Sequence, residues 1–379
     1  MEHSPHLKTS SDKRYPSLDI ARIIGNGVIF FGHFDLVLSL AFRRMPLFGE
    51  YLICAGHLML DVFFLQSGYL VARKLFAQYG RGDRNILRRF YLWRASRIAP
   101  LYYVTVLFSF LFLTTPTWPM APVWQHLTFT MNFFGSIRDP LLLHAWSLCV
   151  EEHFYLLMPL VFFLLAKRTR FTALVFAAAL LAGVILMRVY VWQTVYSKLA
   201  PIPEYDLAYF EWSKYFEWPT FTHIDGFIFG VGMAAIQVYA KDWWEKLVAL
   251  DWVWLIPSSV FFVLAMYCAA NKTQLLPTAL CFTLASLFYA CLQMYCLSPK
   301  CPLNRLNHPL IGTLSILTFP IYLIHVEVIR FVLKHFRDIP FLALALSILM
   351  TLMIAYLMQR LIADPFQTVR VWADRRLGR

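Results

Sequence analysis

The chain has 379 residues, of which 59% are hydrophobic and only 15% charged. Soluble proteins run at about 45–50% apolar and about 25% charged, so the composition excludes the pair of soluble domains that length alone would suggest. The net charge of +12 does not indicate nucleic acid, because its placement along the chain follows the connections between apolar runs.

About ten apolar stretches of bilayer-spanning length are predicted, near 18–41, 51–72, 98–115, 144–166, 171–195, 220–240, 252–270, 275–297, 310–333 and 340–363. Lipid offers no hydrogen bonds to an open backbone, so each must be a helix. The expected fold is an all-α integral membrane protein, one membrane domain over residues 1–379, with no internal repeat. The first 17 residues are polar and a full-length span follows, so no cleavable signal peptide is expected. Of the 34 Lys and Arg residues, 24 fall in 1–22, 73–97, 167–170, 241–246, 298–308 and 360–379, and 10 in the connections on the other side. The positive-inside rule then puts both termini in the cytoplasm, as an even number of spans requires. The outer stretch 198–219 carries Glu204, Asp206, Glu211 and Glu217 among aromatics, and reads equally as an acceptor-facing surface or a solvated loop. The seven cysteines show no metal-ligand or paired spacing and read as packing residues; no metal site is expected.

A charge inside a spanning helix is expensive and is a functional candidate by default. In the first span Arg22 and His33 are 11 residues apart, about three turns and ~16 Å along one face. Arg22 falls near the inner surface, where a snorkelling anchor is the plain alternative, and His33 in the outer half, where a packing histidine is. In the second span His57 and Asp61 form an i,i+4 pair, suited to a carboxylate orienting an imidazole or to joining two helices. Arg94 and Arg97 open the third span after Arg88 and Arg89. Their spacing sets two guanidinium forks on adjacent turns, a phosphate-binding geometry or ordinary positive-inside decoration. Glu151 and Glu152 lie about two turns inside the fourth span, with Ser147 one turn before Glu151 and placed to bond it. His223 and Asp225 enter the sixth span, and His325 and Glu327 lie in the outer part of the ninth.

Histidines and carboxylates thus gather in the outer half and arginines at the inner surface. That is a polar cavity open outward with an anion site inward, as a general base near an outer hydroxyl and a phosphate-bearing donor would require. A proton-coupled transporter also needs membrane carboxylates and histidines, but has no use for the inner arginine pair, and no repeated halves with broken spans are visible. A non-catalytic scaffold leaves Glu151 and Glu152 unexplained.

The same residues resemble the acyltransferase type 3 family of membrane O-acyltransferases. LDIARIIGNGVIFFGH matches its first-span pattern with Arg22 and His33, and LDVFFLQSGYLVARK its second block with Asp61, Ser67 and Gly68. FYLWRASRIAPLYY matches the arginine block, and WSLCVEEHFYLLMPL, with Trp146, Ser147, Glu151 and Tyr155, is the most specific match. HIDGFIFGVGMA, LTFPIYLIHVEV and LIADPF follow in order. Gly25, Asn26 and Gly27 depart from the small apolar residues usual in the first block. Asp364-Pro365 replaces the common Glu-Pro, and no SGNH-type hydrolase domain is expected to follow.

The resemblance implies acyl-CoA, acetyl-CoA most commonly, as a cytoplasmic donor, and a hydroxyl acceptor, usually on a sugar, at the outer side. In that reading Arg94 and Arg97 hold the donor phosphates, with Arg22 contacting the donor or paired with Asp19. His33 is the base, and Glu151 or Asp61 orients it or positions the acceptor. Glu152, His57, Ser147 and His325 complete the substrate side. No serine or cysteine sits in a recognisable nucleophile motif. The expected setting is a cell membrane, the bacterial inner membrane by resemblance, with membrane lipids as a further partner and no nucleic acid.

Overall fold

The computed structural model describes residues 14–42, 47–80, 82, 85–114, 121–133, 141–165, 169–199, 205–306 and 308–377. Among these residues the chain is all helix and turn, with no strand. Its α-helices are α1 (Pro16–Phe42), α2 (Glu50–Leu58), α3 (Leu60–Gly80), α4 (Ile86–Phe108), α5 (Val123–Leu127), α6 (Trp146–Leu165), α7 (Arg170–Thr194) and α8 (Tyr205–Phe216). They continue as α9 (Asp225–Tyr239), α10 (Lys241–Ala249), α11 (Leu255–Ala270), α12 (Leu275–Leu297), α13 (Pro309–Phe336), α14 (Pro340–Met358) and α15 (Asp364–Leu377).

Nine helical stretches among the described residues are long and apolar enough to cross a membrane, from Asp251–Ala270, the shortest at 20 residues, to Pro340–Trp372 at 33. They answer to nine of the ten expected spans. The tenth, expected at 220–240, is α9, an apolar helix of 15 residues. Two boundaries differ in ways that matter for the site. The second span is interrupted at Met59, between α2 and α3, and then runs on to Gly80. The third starts at Ile86 rather than at 98, so Arg88, Arg89, Arg94 and Arg97 all ride on α4. α13 and α14 each begin with a proline, where the missing N–H would be unpaired in any case.

Two close helix contacts position the polar side chains. α3 and α9 meet at Gly226 and Gly230, spaced as Gly-x-x-x-Gly, against Gly68. Apolar helices in lipid gain little from hydrophobicity and associate by close packing at such small residues. A Cβ on Gly230 would run into the Leu65 carbonyl oxygen and sit 2.7 Å from the Tyr69 nitrogen. α1 and α2 approach at Gly32 and Gly56, where a Cβ on Gly32 would lie 3.1 Å from the Leu52 carbonyl oxygen. The residue after each of those glycines is a histidine, His33 and His57, so the close approach sets the two imidazoles side by side. α13 runs through the core with Tyr322, His325, Glu327 and Arg330 all buried.

Candidate active site

A cavity of about 390 Å³ opens between α1, α3, α4, α6 and α13. Its cationic end carries Arg22, Arg73, Lys74, Arg94 and Arg97, and the one acid among its described lining residues is Glu151. Arg94 is buried, stacked 3.8 Å over the Tyr155 ring and 4.4 Å from the Trp93 ring, and its Nε has no hydrogen-bond partner. Arg97 is exposed, so the two arginines expected as matched forks sit in unlike surroundings. A neighbouring cavity of about 420 Å³ shares Arg22, Trp93 and Arg97 and adds Arg14 and Arg370. Asp19 is taken by Arg14 at 2.7 Å and by the Ser315 hydroxyl at 2.6 Å, rather than by Arg22, a pairing that was one of the two alternatives for Arg22.

Halfway along the cavity, Glu151 Oε1 accepts from the Ser67 hydroxyl at 2.5 Å and from the Tyr155 hydroxyl. Tyr155 thereby joins the carboxylate to the guanidinium stacked on its ring. The far end of the cavity is closed by Ser147 and Tyr322, whose hydroxyls are 2.6 Å apart. Both reach the His144 carbonyl oxygen, at 3.2 and 2.8 Å. Behind them three imidazoles pack together. Tyr322 lies 5.6 Å from the His325 ring and 5.5 Å from the His144 ring, centre to centre, and His33 lies 5.0 Å from His325 and 6.3 Å from His144.

The hydrogen bonds in this cluster fix the tautomers. His325 Nδ1 contacts the carbonyl oxygens of Tyr322 at 2.7 Å and Ile321 at 3.2 Å. Carbonyls only accept, so Nδ1 carries the proton and a neutral His325 presents its lone pair at Nε2. That lone pair faces His33 Nδ1 at 2.8 Å, so His33 Nδ1 is the donor and a neutral His33 carries its own lone pair at Nε2. An imidazole with a fixed tautomer and an available ring nitrogen is the form a general base needs.

A second polar chain runs behind α2. His57 Nδ1 lies 3.0 Å from Glu217 Oε1. His223 Nδ1 donates to the Glu217 carbonyl oxygen at 2.9 Å, and its Nε2 lies 3.3 Å from Asp61 Oδ2. Ser286 donates to Asp61 Oδ1 at 2.9 Å, and Phe282 stacks on the His223 ring with centres 3.7 Å apart.

Several expected pairings are therefore replaced. Neither Glu151 nor Asp61 orients His33: Glu151 is held by Ser67 and Tyr155, Asp61 by His223 and Ser286, and the partner of His33 is His325. His57 and Asp61 are not bonded to each other across the turn at Met59, and each turns to a residue far along the chain. Ser147 bonds Tyr322 and the His144 carbonyl instead of Glu151. Glu152 does not line the cavity, and its Oε1 is buried without a partner. Asp225 forms a buried pair with Arg188 at 2.7 Å and accepts from Thr283 at 2.5 Å, a tie among α7, α9 and α12 away from the cavity. Glu327 accepts the Leu142 N–H at 2.8 Å and lies 3.5 Å from Arg330.

His144, Tyr322, Arg73 and Lys74 join the site without having been singled out from the sequence. His144 and Tyr322 follow apolar neighbours that hide them, and the two cations read as positive-inside decoration. Glu217 is 1% exposed and so is no solvated loop residue, whereas Glu204 and the Asp206 side chain lie outside the described residues. Arg188, inside the span expected at 171–195, is fully buried. No group of three or more His, Cys, Asp or Glu side chains suited to a metal ion occurs among the described residues.

Residues 15–360 match a family described as "Acyltransferase domain". The chain is 31% identical over 130 residues to an O-acetyltransferase OatA of Staphylococcus aureus, a match covering 31% of this chain and 22% of that protein. It is 29% identical over 119 residues to a peptidoglycan O-acetyltransferase OatA of Listeria monocytogenes, covering 27% of this chain and 19% of the relative. It is 26% identical over 155 residues to a putative peptidoglycan O-acetyltransferase YrhL of Bacillus subtilis, covering 36% and 24%. The matches thus span about a fifth to a quarter of the length of these curated relatives. No solved structure matches the chain. The cationic cavity, the buried histidines and the sequence match over residues 15–360 lead to one assignment: this multi-pass membrane chain belongs to that acyltransferase family.

Proposed function

We propose that the protein is a membrane O-acyltransferase that moves an acyl group, acetyl in the first instance, from cytoplasmic acyl-CoA to a hydroxyl of a glycan at the outer side. The setting proposed is the bacterial inner membrane. The observation that carries this reading is the cavity that runs from five cations at one end to the Ser147–Tyr322 pair at the other, next to the His33–His325 pair. The names of the relatives support an acetyl group and a polysaccharide acceptor. The transporter reading draws nothing from the family or from those names.

In this account Arg22, Arg94 and Arg97 take the phosphates of the donor, with Arg73 and Lys74 adding charge, since guanidinium forks and ammonium groups both bind phosphate. The pantetheine arm lies along the cavity, past Glu151, and brings the thioester to Ser147 and Tyr322. His33 Nε2 removes the proton of the acceptor hydroxyl. The oxygen attacks the acyl carbon, the C–O bond forms, the C–S bond breaks, and His33 returns the proton to the departing sulfur. While His33 is charged, its Nδ1–H bond to His325, continued from His325 to the Tyr322 carbonyl, spreads the charge. Glu151, held between Ser67 and Tyr155, fixes the Tyr155 ring on which Arg94 rests, and so acts on donor binding rather than on the base.

The test is donor affinity. Exchanging Arg94 and Arg97 together for lysine keeps the charge and removes the forks and the stacking surface. Binding of acetyl-CoA to the purified, monodisperse variant is expected to weaken by about tenfold or more, the loss of one or two charge-assisted hydrogen bonds. Unchanged affinity in Arg94→Lys, Arg97→Lys would remove these residues from the donor site.

A further inference from the structure

Coenzyme A carries its negative charge in two places, a diphosphate bridge and, beyond it, a phosphate on the 3′ carbon of the ribose. The cavity beside the active-site cavity has a matching character. It measures about 420 Å³, a volume suited to a small organic ligand. Arg14, Arg22, Arg97 and Arg370 line it, and Asp19 is the one acid among its described lining residues. Four cations against one acid leave an excess of three positive charges. Asp19 is itself satisfied by Arg14 and Ser315. All four arginines come from stretches that the charge count assigns to the cytoplasmic side.

We infer that this second cavity takes the 3′-phosphorylated ribose of coenzyme A, with Arg370 and Arg14 on the 3′-phosphate. The inference rests on the acyl-CoA reading above and extends it. Arg22, Trp93 and Arg97 line both cavities, so one ligand can occupy the two, with its diphosphate at the shared arginines. The pantetheine arm then leads toward Ser147 and Tyr322, and the nucleoside lies the other way. A local feature places each of the two outer arginines. Arg14 donates its Nε–H at 2.7 Å to Asp19 in the first turn of α1, which fixes the guanidinium. Its Nη groups lie over Gly312, where a Cβ would stand 2.9 Å from Nη2 and push the guanidinium aside. Arg370 rides on α15. Pro365 has no N–H to give the helix ladder, and the turn before it is π-helical, with the Asp364 N–H on the Gln359 carbonyl five residues back. Beyond that turn Ala363, Gln367 and Arg370 line the cavity, a spacing of four and then three residues that sets them on one helical face. Arg370 Nε is buried there without a hydrogen-bond partner. A buried donor left unpaired is costly, and a phosphate oxygen would supply its acceptor.

The experiment compares acetyl-CoA with acetyl-3′-dephospho-CoA, which differ only in that phosphate, by calorimetric titration of the full-length protein in detergent. Wild type is expected to bind acetyl-CoA about tenfold more tightly, the worth of a charge-assisted hydrogen bond. Arg370→Gln keeps an amide donor but removes the charge and the fork. It is expected to bring the two affinities together by weakening acetyl-CoA alone. Arg14→Gln is expected to narrow the same difference. Equal weakening of both ligands by Arg370→Gln marks a structural role and overturns the inference. Equal binding of the two by wild type, as when the cavity takes an anionic lipid headgroup instead, also overturns it and leaves the acyl-CoA reading standing. Wild-type protein that binds neither refutes that reading, and this inference with it.

Discussion

His33 owes its available lone pair to a residue 292 positions further along the chain. The backbone carbonyl of Tyr322 sets the His325 tautomer and His325 sets that of His33, so the proposed base is prepared by main-chain geometry without a carboxylate. His325→Phe keeps most of the ring volume and removes the acceptor for His33 Nδ1. Transfer is expected to fall by about 10² or more, as when the partner that fixes a catalytic tautomer is lost, with acetyl-CoA affinity retained. Assay of both quantities on the same preparation checks this, and near wild-type transfer would remove His325 from the account. At this scale the sequence exposes the costly residues and hides their partners. Arg22, His33, Arg94 and Glu151 stand out because each charge or polar ring inside a span demands a reason. Their partners come from other helices: Glu151 turns to Ser67, 84 residues away, and Asp61 to His223, 162 away. Helical periodicity carries information only about neighbours within a turn or two, so the pairings His57–Asp61 and Ser147–Glu151 were the ones it offered.

Among the helices, the contact between α3 and α9 sets the position of Asp61 opposite His223. Gly226, Gly230 and Gly68 let the two backbones touch, and α9, at 15 residues, is shorter than any of the nine long helical stretches. Gly230→Ala places a methyl against the Leu65 carbonyl and the Tyr69 nitrogen, backbone atoms that cannot rotate away. Overpacking of this kind costs about 1–3 kcal/mol, and the expected result is a lower melting temperature in detergent together with weaker transfer, because Asp61 and His223 move apart. A variant with unaltered stability would mean that the helices separate freely at this point. The all-helical fold was readable from the apolar runs, since nothing but a helix satisfies the backbone in lipid. The break at Met59 was not, because neither proline nor glycine marks it, and a run of apolar residues on both sides conceals it.

For the molecule as a whole, the distribution of 24 of 34 Lys and Arg residues to one set of connections and the separation of arginines from histidines express one asymmetry. The charge bias sets the orientation expected from the positive-inside rule, and the cavity is lined by cations from the same stretches. In the proposed reaction Arg22 and His33, on one helix ~16 Å apart, span the distance between the donor phosphates and the reacting hydroxyl. The proposed reaction is therefore a transfer across the bilayer, with donor and acceptor on opposite sides. The decisive measurement uses sealed vesicles of defined orientation carrying wild-type protein or His33→Gln, with radiolabelled acetyl-CoA sealed on the cytoplasmic face and a membrane-impermeant glycan oligomer outside. Wild-type vesicles should label the external glycan. His33→Gln should reduce labelling by about 10²–10⁴ while the purified variant still binds acetyl-CoA with wild-type affinity. External labelling by His33→Gln at near wild-type rates, or wild-type labelling only when donor and acceptor share one face, would contradict the account.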